Sequence, residues 1–481
     1  MSATPGTMTS ERTTARHVTS VRADPGSFRD PRGRIYHVDD KVFRTVMAVG
    51  AEDFEFVRDT GLIERLQRDG GLIASETVAT DVLGDASADA RYVVEHPRLP
   101  FVSHPYEWPF SALKAAALHH LNIHLAALAE GVTLSDASAY NIQFLGVQPL
   151  FIDLLSFRRY RDGEMWSGHR QFCEQFLNPL LLRSKLGVAH NAWYRGTQEG
   201  ISAGDLRRLL PWTQKMSRNV LLHVIAQAAF QKSAVPSGKS SLATEFRFPL
   251  QKYQQLLSNM RRWIERLEPA DTGKTVWQDY AGTHSYSADE FAVKTDFVAR
   301  FCAATKPKVI WDLGCNIGDF SKVALENGAE LSCAFDFDQG ALEAAFARAS
   351  SERLMMQPLL LDAANPSPNQ GWNECERKGL RERANADGML ALAFIHHLAI
   401  GRNIPLADLI DWLVGLAPQG IIEFVPKADP KVQELLALRE DIFPQYTEEC
   451  FRQFLSSRAD IVEVVTVTET GRKLFWFRAR T

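Results

Sequence analysis

From Lys308 to the end of the chain, short apolar runs alternate with helix-forming segments. The runs are KVIWDLG, LSCAFDFD, LMMQPLLLD, GMLALAFIHHL and GIIEFVP, with helices expected through Ala324, after Asp338 and about Leu409 to Gly415. Strands this apolar are buried on both faces, and strands separated by helices run parallel, because each crossover returns the chain over one face of the sheet. The pattern predicts an α/β domain with a doubly wound, Rossmann-like sheet over residues 285–481. The closing IVEVVTVTETGRKLFWFRAR alternates about a Thr-Gly turn and predicts a C-terminal antiparallel hairpin. The texture changes between residues 250 and 285, so 251–284 reads as a linker or lid. Ahead of it, 26–250 reads as an α+β, mostly helical accessory domain. Within it DPRGRIYHVDDKVFRTVM predicts a hairpin about an Asp-Asp turn, and WPFSALKAAALHHLNIHLAALAE a long helix that Gly131 stops. Residues 1–25, rich in Ser, Thr and Arg without an apolar stretch, read as a disordered tail and not a secretory signal.

Composition narrows the function. A chain of 481 residues suggests two or three domains. Lys+Arg 54 against Asp+Glu 58 gives a charge of −4, which speaks against nucleic acid as the main ligand. The six cysteines form no C-x-x-C pair, so their spacing points to neither a zinc site nor a disulfide framework, and it fits the reducing cytoplasm. The most membrane-like stretch, Met389 to Ile400, is broken by His396 and His397 and falls short of the ~20 apolar residues a spanning helix needs. No membrane partner is expected.

The strongest motif is Asp312-Leu313-Gly314-Cys315-Asn316-Ile317-Gly318, a strand running through a glycine turn into a helix. Glycines there let backbone approach a ligand without an intervening Cβ. The spacing is G-x-x-x-G and lacks the glycines of the dinucleotide fingerprint. An acid before the loop suits a ligand with an amino-acid end, whose ammonium Asp312 could pair. Asp336, closing the next strand, can accept both hydroxyls of a ribose, and Asp362, closing the third, can accept from a purine amine. Together these residues resemble the S-adenosylmethionine site of class I methyltransferases. DLGCNIG is similar to that family's glycine motif, AFDFD to its ribose acid, and LLLDAA to its adenine acid. The resemblance implies S-adenosylmethionine as cofactor, bound by Asp312, Gly314, Cys315, Asn316, Gly318, Asp336, Phe337, Asp362 and Ala363, with Tyr286 lining the pocket from the lid.

The fourth strand ends in Phe394-Ile395-His396-His397 and not in the Asn/Asp-Pro-Pro-Tyr of adenine or glutamine N-methyltransferases. A histidine there can serve as general base toward a hydroxyl, so His396 and His397 are the catalytic candidates and packing beside the cofactor is their alternative role. The expected acceptor is a hydroxyl or other group on a small molecule. Non-catalytic cofactor binding is a second possibility.

In the first half, Leu134-Ser135-Asp136 is followed by Asn141 and, after a short turn, by Asp153 in PLFIDL. This resembles the catalytic and metal-binding loops of aminoglycoside-phosphotransferase-type kinases. It implies Asp136 as base, Asn141 and Asp153 as Mg²⁺ ligands, and Mg·ATP as a second cofactor. The pattern departs from that family where Leu134 replaces the usual His. No glycine-rich phosphate loop or V-A-I-K lysine stands upstream. A degenerate kinase-like recognition module is the more economical reading, and a bifunctional kinase–methyltransferase the alternative. The overall layout, with WPFSALKAAALHHL, DASAYNIQF and FIDLLSF ahead of the methyltransferase-like half, is also similar to bacterial proteins related to a host-specific nodulation family.

Overall fold

A computed structural model describes residues 21–226, 248–271, 287–437 and 439–480. Tyr286, most of the expected tail and residues 272–284 of the expected linker lie outside the described residues. By internal contacts the chain divides into two compact units. One comprises residues through Ala51 together with Ala74–Arg98, and the other Glu52–Ile73 together with Leu99–Thr481.

The first unit carries an antiparallel sheet of β1 (Arg22–Ala23), β2 (Ile35–Val38), β3 (Lys41–Met47), β4 (Glu76–Val78) and β5 (Ala90–Pro97), in the order β1-β2-β3-β5-β4. The expected hairpin is β2–β3. Val38 faces Lys41 across an Asp39-Asp40 turn in which Asp39 takes φ 51°, a left-handed conformation that Asp tolerates better than most residues. Phe43, Leu83 and Val93 form this unit's core.

In the second unit the long helix runs Phe110–Ala129, and Gly131 follows at φ 69°. Its buried residues line one broad face and include His120 and His124. His124 Nε2 is 3.0 Å from Thr133 Oγ1 and 3.3 Å from Tyr253 Oη, so it is a core histidine with polar partners. Two small antiparallel pairs follow: β6 (Val132–Leu134) with β9 (Phe157–Arg159), and β7 (Ile142–Leu145) with β8 (Gln148–Phe151).

The rest of this unit is a seven-stranded sheet of β10 (Val309–Leu313), β11 (Leu331–Asp336), β12 (Met356–Leu360), β13 (Gly388–Ala391), β14 (Gln419–Phe424), β15 (Ala459–Thr466) and β16 (Lys473–Ala479). Its order is β12-β11-β10-β13-β14-β16-β15, parallel through β14, with β16 antiparallel and β15 at the edge. This is a doubly wound, Rossmann-like sheet closed by the antiparallel pair β15–β16. The helix Ala288–Thr305 places Phe297, Val298 and Phe301 on Ile310, Leu390 and Ile421, while Leu342, Ala345 and Ala349 of the helix Gln339–Glu352 cluster with Ala334 and Met356.

Within this unit, the helical segment from Leu99 is fastened to the sheet segment by buried polar contacts. Pro109 gives the helix Phe110–Ala129 no side-chain cap, and its first free N–H groups are met by Glu343, which accepts from Phe110 N at 2.7 Å and Ser111 N at 3.2 Å. A carboxylate there satisfies orphan donors and complements the helix dipole. Arg183 bonds the same Glu343 at 3.0 Å and Gln339 at 2.7 Å. Arg383 pairs with Glu107 through both guanidinium nitrogens, each side chain under 6% exposed, and also donates to Val102 O at 2.7 Å. Phe101 adds edge-on ring contacts to Trp311 and Phe335 at 5.7 and 6.0 Å.

Candidate functional site

The glycine loop is built by the backbone. Gly314 (φ 78°), Asn316 (φ 51°) and Gly318 (φ 81°) all lie in the left-handed region, folding the chain from β10 into the helix Asp319–Glu326. Gly314 N and Cys315 N both donate to Phe335 O, at 2.8 and 2.9 Å, tying the loop to the end of β11. A Cβ on Gly314 would stand 3.1 Å from the Phe394 ring, and one on Gly318 would stand 2.6 Å from the Met356 sulfur. Phe394 and Met356 thus pack directly against the backbone of this loop, and with the left-handed φ values they leave room only for glycine at both positions.

The three acids of the sheet edge are not equivalent. Asp336 sits half-buried at the end of β11 and accepts from Asn316 N at 2.7 Å and Asp338 N at 2.8 Å, one bond to each carboxylate oxygen. Burial lifts its pKa above the ordinary carboxylate value even with these donors opposing it. Phe337 beside it is exposed, with the Arg402 guanidinium 6.0 Å from its ring centroid. Asp362, beyond β12, is half-buried and accepts from Ala364 N at 3.1 Å, and Ala363 is likewise half-buried. Asp312 lies inside the sheet, 2% exposed, and accepts from Ser321 Oγ at 2.7 Å, with Ser332 Oγ a further 2.9 Å on. Burial pushes it up to about 7. Its carboxyl is thus engaged by Ser321 of the helix that follows, and Asp336 and Asp362 are the half-buried carboxylates at the strand ends.

At the exit of β13, Ala393 takes φ 49° and its N–H donates to Glu423 Oε2 at 2.7 Å. Glu423 also meets Lys294 Nζ at 2.8 Å, both fully buried. Arg472, 3.7 Å from Glu423, grips Asp429 with two bonds of 2.6 and 2.8 Å. His396 and His397 follow with ring centroids 4.1 Å apart. His396 is buried, its Nδ1 has no hydrogen-bond partner among the described residues, and burial drives its pKa far below the ordinary value. His397 is half-buried and is lowered by burial as well. Both rings are neutral near pH 7. Ser321, Met356 and the Arg472–Asp429 pair carry no local signal in the sequence, because their partners come from different elements.

The other acidic set does come together. Asn141 Nδ2 donates to Asp136 at 3.1 and 3.3 Å and to Asp153 Oδ2 at 3.4 Å, while Asp153 Oδ1 accepts from Leu155 N at 3.2 Å. The β7–β8 hairpin brings the two ends of this set together, because β7 starts just after Asn141 and β8 ends just before Asp153. All three residues are half-buried.

No family model matches the chain. Among solved structures it is similar to N-methyltransferase NodS from Bradyrhizobium japonicum WM9, at 12% identity over 40% of this chain and 99% of that one, with TM-score 0.30. It is similar at 13% identity to the PH0226 protein of Pyrococcus horikoshii OT3, over 42% of this chain and 98% of that one, with TM-score 0.31. In sequence it is 45% identical over 455 residues to nodulation protein NoeA of Rhizobium meliloti (strain 1021), covering 94% of this chain and 95% of that protein. With that identity running nearly end to end in both proteins, the chain belongs to the NoeA family of nodulation proteins.

Proposed function

We propose that the protein is an S-adenosylmethionine-dependent methyltransferase acting on a hydroxyl or other group of a small molecule. The observation that carries this reading is the wiring of Asp336 to Asn316 N–H, which sets an acid beside the glycine loop at adjacent strand ends of a class I sheet. Such an acid suits the two hydroxyls of a ribose, the glycine loop Gly314–Gly318 suits the amino-acid end, and Asp362 suits the adenine amine. When bound, the sulfonium cofactor supplies an electrophilic methyl. The chain's own part is to orient the reactants and exclude water. His397, neutral and half-exposed, is the better placed of the two histidines to take an acceptor proton; His396, buried with an unpaired Nδ1, fits a packing role. Titration calorimetry with S-adenosylmethionine tests the reading. Micromolar binding is expected, and Asp336→Ala should weaken it tenfold or more; unchanged binding in that variant would remove the ribose assignment. Turnover to S-adenosylhomocysteine with cell extract separates an enzyme from a non-catalytic binder.

A second reading is favoured by the Asp136–Asn141–Asp153 set, whose oxygen atoms suit Mg²⁺. Under it residues 26–250 are a reduced kinase-like domain that binds Mg·ATP. Calorimetry with Mg·ATP decides it: no heat, or heat that survives Asp153→Asn, rules it out. The first reading does not depend on the result.

A further inference from the structure

Away from both candidate sites, three potential metal ligands meet in the helical segment. His169 and Cys173 lie one helical turn apart, and His223 reaches them from 54 positions along the chain. His169 Nε2 stands 3.1 Å from His223 Nδ1 and 3.7 Å from Cys173 Sγ, and all three ligand atoms lie within 4.8 Å of one another. In a tetrahedral zinc site the edges are about 3.3 Å between two imidazole nitrogens and about 3.6 Å between nitrogen and sulfur. Two of the observed separations match, and the third closes with a small side-chain shift.

The backbone carries an independent mark. Cys173–Leu177 and Leu221–Ile225 are the two π-helical segments among the described residues, and each supplies a ligand. A π-turn costs hydrogen-bond quality and is found most often where a site needs a side chain re-aimed. The rings are also held in place: Trp263 stacks on His223 at 5.9 Å, and Trp166 lies 5.6 Å from His169. A neutral histidine–histidine hydrogen bond alone would account for the 3.1 Å contact, yet it needs neither the thiol nor two adjoining π-turns.

We infer that His169, Cys173 and His223 form a binding site for a thiophilic d¹⁰ divalent cation of the Zn²⁺ class. Three protein ligands leave a fourth position, which water completes. Burial holds the two imidazoles down, at about 4 and about 3, so both are neutral at pH 7 and have a lone pair to offer. The Cys173 thiol, buried and protonated without metal, gives up its proton to solvent as the sulfur–metal bond forms. The site would brace the helix that holds the Asp136–Asn141 loop, because Gln171 and Gln175 accept from Ala137 N and Ala139 N, each at 2.8 Å.

The test uses the full chain, stripped with chelator, incubated with Zn²⁺ and passed through gel filtration before elemental analysis. One zinc per chain is expected for the wild type and for Cys450→Ser, and a loss of at least fivefold in Cys173→Ser and His223→Ala. Titration of the wild type with Co²⁺ should give a thiolate-to-cobalt charge-transfer band, which decides the matter even if a variant fails to fold. Wild-type protein without zinc and without that band overturns the inference, as does a folded Cys173→Ser that keeps its zinc.

Discussion

The sheet edge and the Asp136–Asn141–Asp153 set each gather acids at the ends of strands, by opposite means. At the sheet edge the donors to Asp336 are main-chain N–H groups, one of them from Asn316 in the loop of three left-handed residues. That arrangement is fixed as soon as the loop folds, so the carboxylate is aimed before any ligand arrives. In the other set a side-chain amide bridges two carboxylates and contributes no charge of its own. The first geometry suits a neutral ligand that donates hydrogen bonds. The second suits a cation. One compact unit holds both, and this makes them separable by experiment.

The largest effect expected is that of acid. Burial lowers His104, His120 and His190 to about 3, all in the helical segment. A histidine whose folded pKa lies below its unfolded value lends stability above about pH 6.5 and loses it as pH falls through the folded value, by up to about 1.4 kcal/mol per pH unit each. Asp312 in the sheet has the opposite sign. Raised to about 7, it favours the folded state at low pH, and that contribution fades as pH climbs from about 4 through 7. Hydrogen exchange at pH 4 to 5 should therefore find the helical segment opening before the sheet strands, and Asp312→Asn should flatten the fall in sheet protection between pH 4 and 7. Simultaneous opening of both segments would mean that the joint between them outweighs their separate titrations.

That joint gives the next largest effect. Arg383→Ala leaves Glu107 buried, with His104 N at 2.8 Å and Ser367 Oγ at 3.1 Å against its carboxylate and no guanidinium beside it. Removing one member of a buried pair costs about 3–5 kcal/mol, so urea denaturation should lose that amount. Binding of S-adenosylmethionine and of Mg²⁺ should weaken together. Loss of one alone would show that the two regions fold independently.

What the sequence disclosed follows range. The β10–loop–helix unit, the Asp39-Asp40 hairpin and the helix stopped by Gly131 are local, each set by spacing and by residues that tolerate one backbone conformation. Asp136, Asn141 and Asp153 were readable for the same reason, since one hairpin joins them. The Arg383–Glu107 pair is 276 positions apart, and its members look like any surface charges until the two segments meet. The thin sheet of the first unit escaped beyond its one hairpin because β1 has two residues and β4 three, too few for any periodicity. Asp312 reads as a ligand-facing acid because nothing local announces that Ser321 will take its carboxyl.

The smallest effect separates the two acidic regions most cleanly. If Asp136, Asn141 and Asp153 hold Mg²⁺, a concentration ten times the dissociation constant should stabilise the native chain by about 1.4 kcal/mol, a shift of about 1–2 °C in Tm for a chain of this size. Asp153→Asn keeps the shape and the bond from Leu155 N but halves the charge that the pair offers, so the shift should vanish while S-adenosylmethionine affinity stays within twofold. Asp336→Asn should do the reverse: it loses the cofactor and keeps the Mg²⁺ response. A Mg²⁺ shift that persists in Asp153→Asn would place the cation elsewhere, and the Asn141 amide would then be a structural tie between two strand ends.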